Sequence, residues 1–172
     1  ILKIPGGGGM VADAHPDGKT RGIVGFSGAA ATTSGAQCLL EMMRTLQNGA
    51  LHRGIVEVTF DEKAGGISAA LMEYMQQSEQ IVTNIAVSTL MDGNEIVAAG
   101  GYMVELLPEV ERGPLMVMTQ RLEDFPPLSE LLRKETKLTT HLVEELLYGM
   151  PYTMLAESGL EYGCQCSEVR VL

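Results

Sequence analysis

Two thiols one residue apart, Cys164 and Cys166, are the most chemically pointed feature of the chain. Flanked by Gly163 and Ser167, both can reach one soft metal ion, or they can be oxidised with each other or with other thiols. A structural zinc takes about four ligands. This end of the chain offers two thiols and no nearby histidine, which is half of such a site. The third cysteine, Cys38, stands alone and reads as a small buried hydrophobe rather than a catalyst. His141 with Glu144 and Glu145 resembles part of a helical metal site, but such patterns need a second histidine on the same turn. The other two histidines, His15 and His52, lie in other segments, so a solvated helix explains these residues better. Gly18-Lys19-Thr20 invites a phosphate-loop reading, yet Asp13 stands where that loop needs its first glycine. Asp17-Gly18 signals a hairpin turn instead. The chain has no G-x-S-x-G nucleophile elbow.

These residues sit in a chain of 172 residues with 12 Lys and Arg against 22 Asp and Glu, a net charge of −10. That balance argues against a nucleic-acid clamp or a binder of anionic membranes, both of which need a basic footprint. An apolar share of 45% suits a packed domain rather than a disordered one. No apolar run reaches the roughly 18 residues that would span a bilayer. An odd cysteine count is no disulfide scaffold and favours a reducing compartment. The first residue is Ile1 and the last, Leu172, closely follows the cysteine pair, so both ends are expected to be cuts.

Periodicity gives the elements that must position the chemistry. Leu2–Ile4 reads as a strand tail, Gly6–Gly9 as a mobile loop, Met10–Ala14 and Ile23–Phe26 as two arms of a hairpin. After a loop at Ala29–Gly35, a helix is expected, capped by Ser34, with Leu39, Met42, Met43 and Leu46 on one face and Asn48-Gly49 at its end. Ile55, Val56 and Val58 belong to a strand; Gly65-Gly66 precedes a helix carrying Ile67, Leu71, Tyr74 and Met75. Ile81–Leu90 and Ile96–Leu107 are strands joined at Asp92-Gly93, the second containing Gly100-Gly101 as a bulge or a close backbone approach. Beyond Pro108, Glu109–Gly113 is a polar connector. Thr119–Met150 then turns helical, with Pro126-Pro127 dividing it and Leu142, Val143, Leu146 and Leu147 on one face of its last helix. The fold class is therefore α+β: a mixed β-sheet body with packed helices, a small helical linker subdomain, and the start of a cysteine-based module.

Several stretches together resemble the redox-regulated 33-kDa heat-shock chaperone family. Tyr74-Met75-Gln76-Gln77-Ser78-Glu79-Gln80 is similar to that family's aromatic-x-x-x-Ser-Glu-Gln motif. Ala99-Gly100-Gly101 and Leu107-Pro108 follow in the family's order, Arg21-Gly22 and Arg53-Gly54-Ile55-Val56 fit the preceding strands, and Cys164-Gln165-Cys166-Ser167 resembles the first half of its zinc-binding set. Glu105 departs from the family's usual glutamine, and a strand expected between Gly49 and Leu51 is missing from the sequence.

The resemblance implies an ATP-independent holdase rather than an enzyme. It implies a chaperone core at 1–115, a helical linker at 116–158 and the start of a zinc-binding redox-switch module at 159–172. Cys164 and Cys166 would be metal ligands and redox-switch thiols, and Leu142, Val143, Leu146 and Leu147 client-binding residues of the linker. Zn2+ would be held by the intact reduced protein and be absent from this truncated chain. Partners would be unfolding client proteins, with homodimerisation on activation, no nucleic acid and no membrane. The location would be cytoplasmic, or organellar in a eukaryote. Two other classes fit the residues alone. One is a thiol-disulfide oxidoreductase, which Glu161 and Glu168 disfavour by flanking the thiols with negative charge. The other is a non-catalytic interaction module.

Overall fold

Glycine-bearing turns set the first sheet. The computed structural model describes residues 1–25, 35–107, 109, 112–134 and 138–163. Strand β1 (Leu2–Ile4) turns at Gly6 and Gly7, both at positive φ, into β2 (Gly8–Ala14). The expected loop over Gly6–Gly9 is thus shorter, because Gly8 and Gly9 pair with Ile4 and Lys3. A side chain at Gly9 would lie 2.6 Å from the Leu2 carbonyl oxygen, so only glycine lets the strands approach this closely. At the next turn Gly18, at φ 88°, donates to the His15 carbonyl, and β3 (Lys19–Gly25) returns along β2 as the Asp-Gly signal predicts. Phe26 and the Ala29–Ser34 part of the expected loop lie outside the described residues.

The expected helix over Leu39–Leu46 is a strand. Residues Ala36–Thr45 form β4, which pairs through ten positions with β5 (Leu51–Phe60) and on its other side with β1. Leu, Met and Glu favour helix, but by fractions of a kcal/mol each. A ten-pair ladder on one edge and β1 on the other override that preference. The alternation is visible afterwards: Cys38 and Leu40 are buried, Leu39 and Met43 exposed. Asn48-Gly49 is the turn of this hairpin, with Gly49 at φ 79° and Asn48 Oδ1 accepting the Ala50 N–H. Between Gly49 and Leu51 this turn carries β4 directly into its partner β5. The first sheet has the order β5-β4-β1-β2-β3-β8, where β8 (Glu161–Tyr162) pairs parallel with β3. Among the described residues its buried apolar side chains are Leu2, Ile4, Cys38, Leu40, Val56 and Val58.

This sheet belongs to a unit made of Ile1–Asp61 and Thr153–Leu172; Glu62–Tyr152 form a second. In the second unit, α1 (Gly66–Tyr74) packs on β6 (Thr83–Asp92), burying Ala70 and Tyr74, and Ser68 Oγ accepts the Val87 N–H at 3.0 Å. The Ser78-Glu79-Gln80 stretch ends this helix. Met75–Glu79 widens into a π turn, and Gln80, at φ 58°, donates its N–H back to the Met75 carbonyl. β6 turns at Gly93, φ 59°, into β7 (Glu95–Glu105). The bulge lies at Leu90/Met91 rather than at the glycine pair. Gly101 serves the close approach: a Cβ there would stand 2.8 Å from the Ala86 carbonyl oxygen.

Three helices follow, α2 (Arg112–Asp124), α3 (Leu128–Lys134) and α4 (Leu138–Leu146). The expected connector over Glu109–Gly113 gives way to helix at Arg112, because Pro114 falls in the first turn, where a missing N–H costs nothing. Among the described residues no helix is long and apolar enough to cross a membrane.

Candidate functional site

Strand alternation gives the β6–β7 hairpin an apolar face of Ala86, Leu90, Ala98 and Tyr102, and the short helices cover it. Leu128, Leu131 and Leu132 of α3 and Leu142 of α4 are all buried there, with Phe125 joining from the link before Pro126. The Phe125 ring meets Tyr102 edge-on, centroids 5.8 Å apart and planes at 84°, a favoured aromatic geometry. Burial pushes the Tyr102 phenol above its usual range.

The four residues expected on one face of the last helix divide into two pairs. Leu142 and Leu146 are buried; Val143 and Leu147 are half-buried. Of the four, only Leu142 belongs to the cluster on the hairpin. The Leu146 carbonyl accepts a hydrogen bond from Arg121 Nη1 at 2.8 Å, so a cation on α2 caps the negative end of α4. An open cleft of about 700 Å³ lies beside this contact, lined among others by Met116, Val117, Phe125 and Tyr148. The Tyr102–Phe125 pair and the Arg121 cap were not read from the sequence. Nothing in the spacing shows them until β7 and the helices are in register.

Cys164 and Cys166 lie outside the described residues, but the backbone leading to them is fixed. Glu161 donates its N–H to the Gly18 carbonyl at 3.0 Å, and Gly163 donates to the Thr20 carbonyl at 2.9 Å. Tyr162 Oη reaches the Gly22 carbonyl at 3.3 Å. Gly18 must be glycine here too, since a Cβ would collide with the Gly159 carbonyl at 2.1 Å. Cys38 is buried at 1% exposure, on a strand rather than the helix expected for it, and burial raises its thiol pKa. That makes it a poor nucleophile. His141 sits half-buried on α4. Among the described residues no three histidine, cysteine or acidic side chains are grouped to hold a metal.

One charged group was also missed. Glu41 is 5% exposed and accepts from Arg53 Nε at 2.6 Å and Lys3 Nζ at 3.1 Å, binding β1, β4 and β5 together. Its carboxyl is held below the ordinary glutamate range, first by the Arg53 hydrogen bond and then by that of Lys3. The three residues lie far apart in sequence, so only the strand register brings them into contact.

Set against known proteins, residues 2–172 match the family model described as "Hsp33 protein". The chain is 29% identical over 173 residues to the 33 kDa chaperonin of Citrifermentans bemidjiense, covering 94% of this chain and 57% of that protein. It is 31% identical over 175 residues to the 33 kDa chaperonin of a Geobacter species, with the same coverage of 94% and 57%. The crystal structure of the 33 kDa chaperonin of Thermotoga maritima superposes with a TM-score of 0.75 at 22% identity, over 99% of this chain and 61% of that one. It shares the α+β fold. The chain therefore spans about 57% of the length of these two curated relatives.

Proposed function

The chain belongs to the Hsp33 family, and on that premise we propose that the full-length protein is an ATP-independent, redox-regulated holdase that binds unfolding proteins and prevents their aggregation. The observation that supports this most is the cover of α3 and α4 on the β6–β7 hairpin. These helices have 7 and 9 residues. Helices this short are marginal in water without tertiary support. Their leucines contribute roughly 1.5–3 kcal/mol each when fully buried. If the helices lift away, the residues that held them become exposed apolar surface. Leu142, Val143, Leu146 and Leu147 are then the client-binding residues, and the helices act as a clasp set by a marginal equilibrium.

Cys164 and Cys166 are the proposed redox-switch thiols. Peroxide takes two thiols to a disulfide and is itself reduced to two waters. In this division of labour 1–115 is the core, 116–158 the linker and 159–172 the start of the switch module. The protein has no catalytic residues, works in the cytoplasm and dimerises on activation. The family's zinc fits this chain only in part, because two thiols are half of a four-ligand site. In the intact reduced protein Cys164 and Cys166 would be two of its ligands, and the bound ion would supply folding free energy to the module.

The test uses full-length protein, reduced and peroxide-treated, mixed with a heat-unfolding client without ATP. Suppressed light scattering by the oxidised form supports the proposal. Equal scattering with and without either form overturns it.

A further inference from the structure

We propose that the outer edge of β3 is a docking edge for an extended segment of unfolded polypeptide, occupied in the closed chain by β8. The proposal rests on the chaperone reading above and adds to it a surface and a binding mode. Backbone groups on β3 alternate. The Lys19 carbonyl accepts from His15 N–H on the β2 side, whereas the Thr20 carbonyl accepts from Gly163 and the Gly22 carbonyl from Tyr162 on the outer side. Even-numbered residues therefore present their N–H and C=O groups outward, in the row that a further strand would use.

β8 shows what this edge accepts. It lies parallel, with Lys19 opposite Glu161 and Thr20 opposite Tyr162, and the backbone at Gly159 just ahead of it approaches Gly18 more closely than any side chain would allow. Among the described residues the backbone pairing covers two residue pairs, and a side-chain hydroxyl rather than an N–H meets the Gly22 carbonyl. The edge continues for three more strand residues, and Ile23 and Val24 there are 69% and 59% exposed. β8 itself buries little, with Tyr162 at 77% exposure and Leu160 just before the strand at 79%. Such a short, exposed strand is easily displaced. A longer extended segment can make every outward bond that β8 makes and add those at Gly22 and Val24, with its side chains against Ile23 and Val24. This is strand addition to a sheet edge, in which backbone bonds give affinity and the sequence of the guest matters little. That suits a partner recognised for being unfolded.

The experiment uses reduced full-length protein and a fluorescent, end-capped hexapeptide alternating valine and threonine. Glu161→Pro removes the N–H that β8 gives to Gly18 and leaves the β2–β3 hairpin untouched. It should tighten peptide binding by roughly fivefold, the effect of losing about one competing hydrogen bond. Bound peptide should slow amide exchange at Gly22 and Val24. Adding Val24→Pro, which removes an outward N–H that β2 does not use, should abolish binding. Unchanged affinity in Glu161→Pro, or full binding by the Val24→Pro variant with its β2–β3 amides still protected, overturns the proposal. If Val24→Pro does not fold, exchange at Gly22 in Glu161→Pro decides alone: slowing by peptide supports the edge, no slowing refutes it. Peptide docking with no suppression of client aggregation by either redox form would leave the edge assigned and overturn the chaperone reading.

Discussion

The ring of Phe125 stands edge-on to Tyr102, with centroids 5.8 Å apart, and so fixes the link ahead of α3 to strand β7. The contact sits where the chain leaves α2 and turns through Pro126-Pro127 into the short helices. Replacing Phe125 with alanine should destabilise the clasp by about 1–2 kcal/mol, combining the aromatic pair and part of the burial. Amide exchange in α3 should accelerate, and reduced full-length protein should show raised basal holdase activity. Tyr102→Phe keeps the ring and should change neither.

Leu131→Ala removes a buried side chain from the centre of the cluster. The expected loss is about 2–4 kcal/mol, read as a lower urea midpoint. Because α3 has 7 residues, its helical signal should fall before the β6–β7 hairpin opens. Simultaneous loss of both would mean that helix and hairpin unfold as one unit.

Gly101→Ala places a methyl group about 2.8 Å from the Ala86 carbonyl oxygen, which is backbone and cannot swing away. The hairpin must spread, at a cost of about 1–3 kcal/mol. Thermal unfolding of this variant should shift down. Gly25→Ala, with open space around the added atom, should shift far less.

Acid should loosen the first sheet through Glu41. Its folded pKa lies below the ordinary glutamate range, because Arg53 and Lys3 hydrogen-bond the charged form. The stabilisation is thus complete above the ordinary, unfolded value and is lost as pH falls through the lowered one. Denaturant midpoints measured downward from pH 6 should fall across that window in the natural protein. Glu41→Gln should be less stable at neutral pH and flatter across the same window. A parallel decline in both proteins would assign the acid effect to other carboxylates.

The local chemistry of turns was legible in the sequence. Asp17-Gly18 and Asp92-Gly93 sit at the hairpin turns expected of them, because each supplies a glycine at positive φ that other residues resist; Asn48-Gly49 does the same, but at a hairpin turn rather than at the helix end expected there. Gly100-Gly101 read correctly as a place where backbones meet. Leu142 and Leu146 were legible from helical spacing, and both are buried. The helix expected at Leu39–Leu46 from its apolar spacing fails because that spacing is read without the segment's partners. Both edges of β4 are occupied, and that fact resides in β1 and β5 rather than in β4. The same nonlocality hid Glu41 with Lys3 and Arg53, the Tyr102–Phe125 contact, and the pairing of Glu161 with Lys19. Each is a register relation between segments distant along the chain, which no spacing rule reports.

In the proposed switch, oxidising the cysteines releases α3 and α4 from the β6–β7 hairpin. Its most direct measurement is amide exchange across Leu128–Leu146 in full-length protein before and after peroxide. Protection in these helices should be lost on oxidation, while β6 and β7 stay protected and client capture appears in the same sample. Helices that stay protected after complete thiol oxidation, while client is captured, would contradict it.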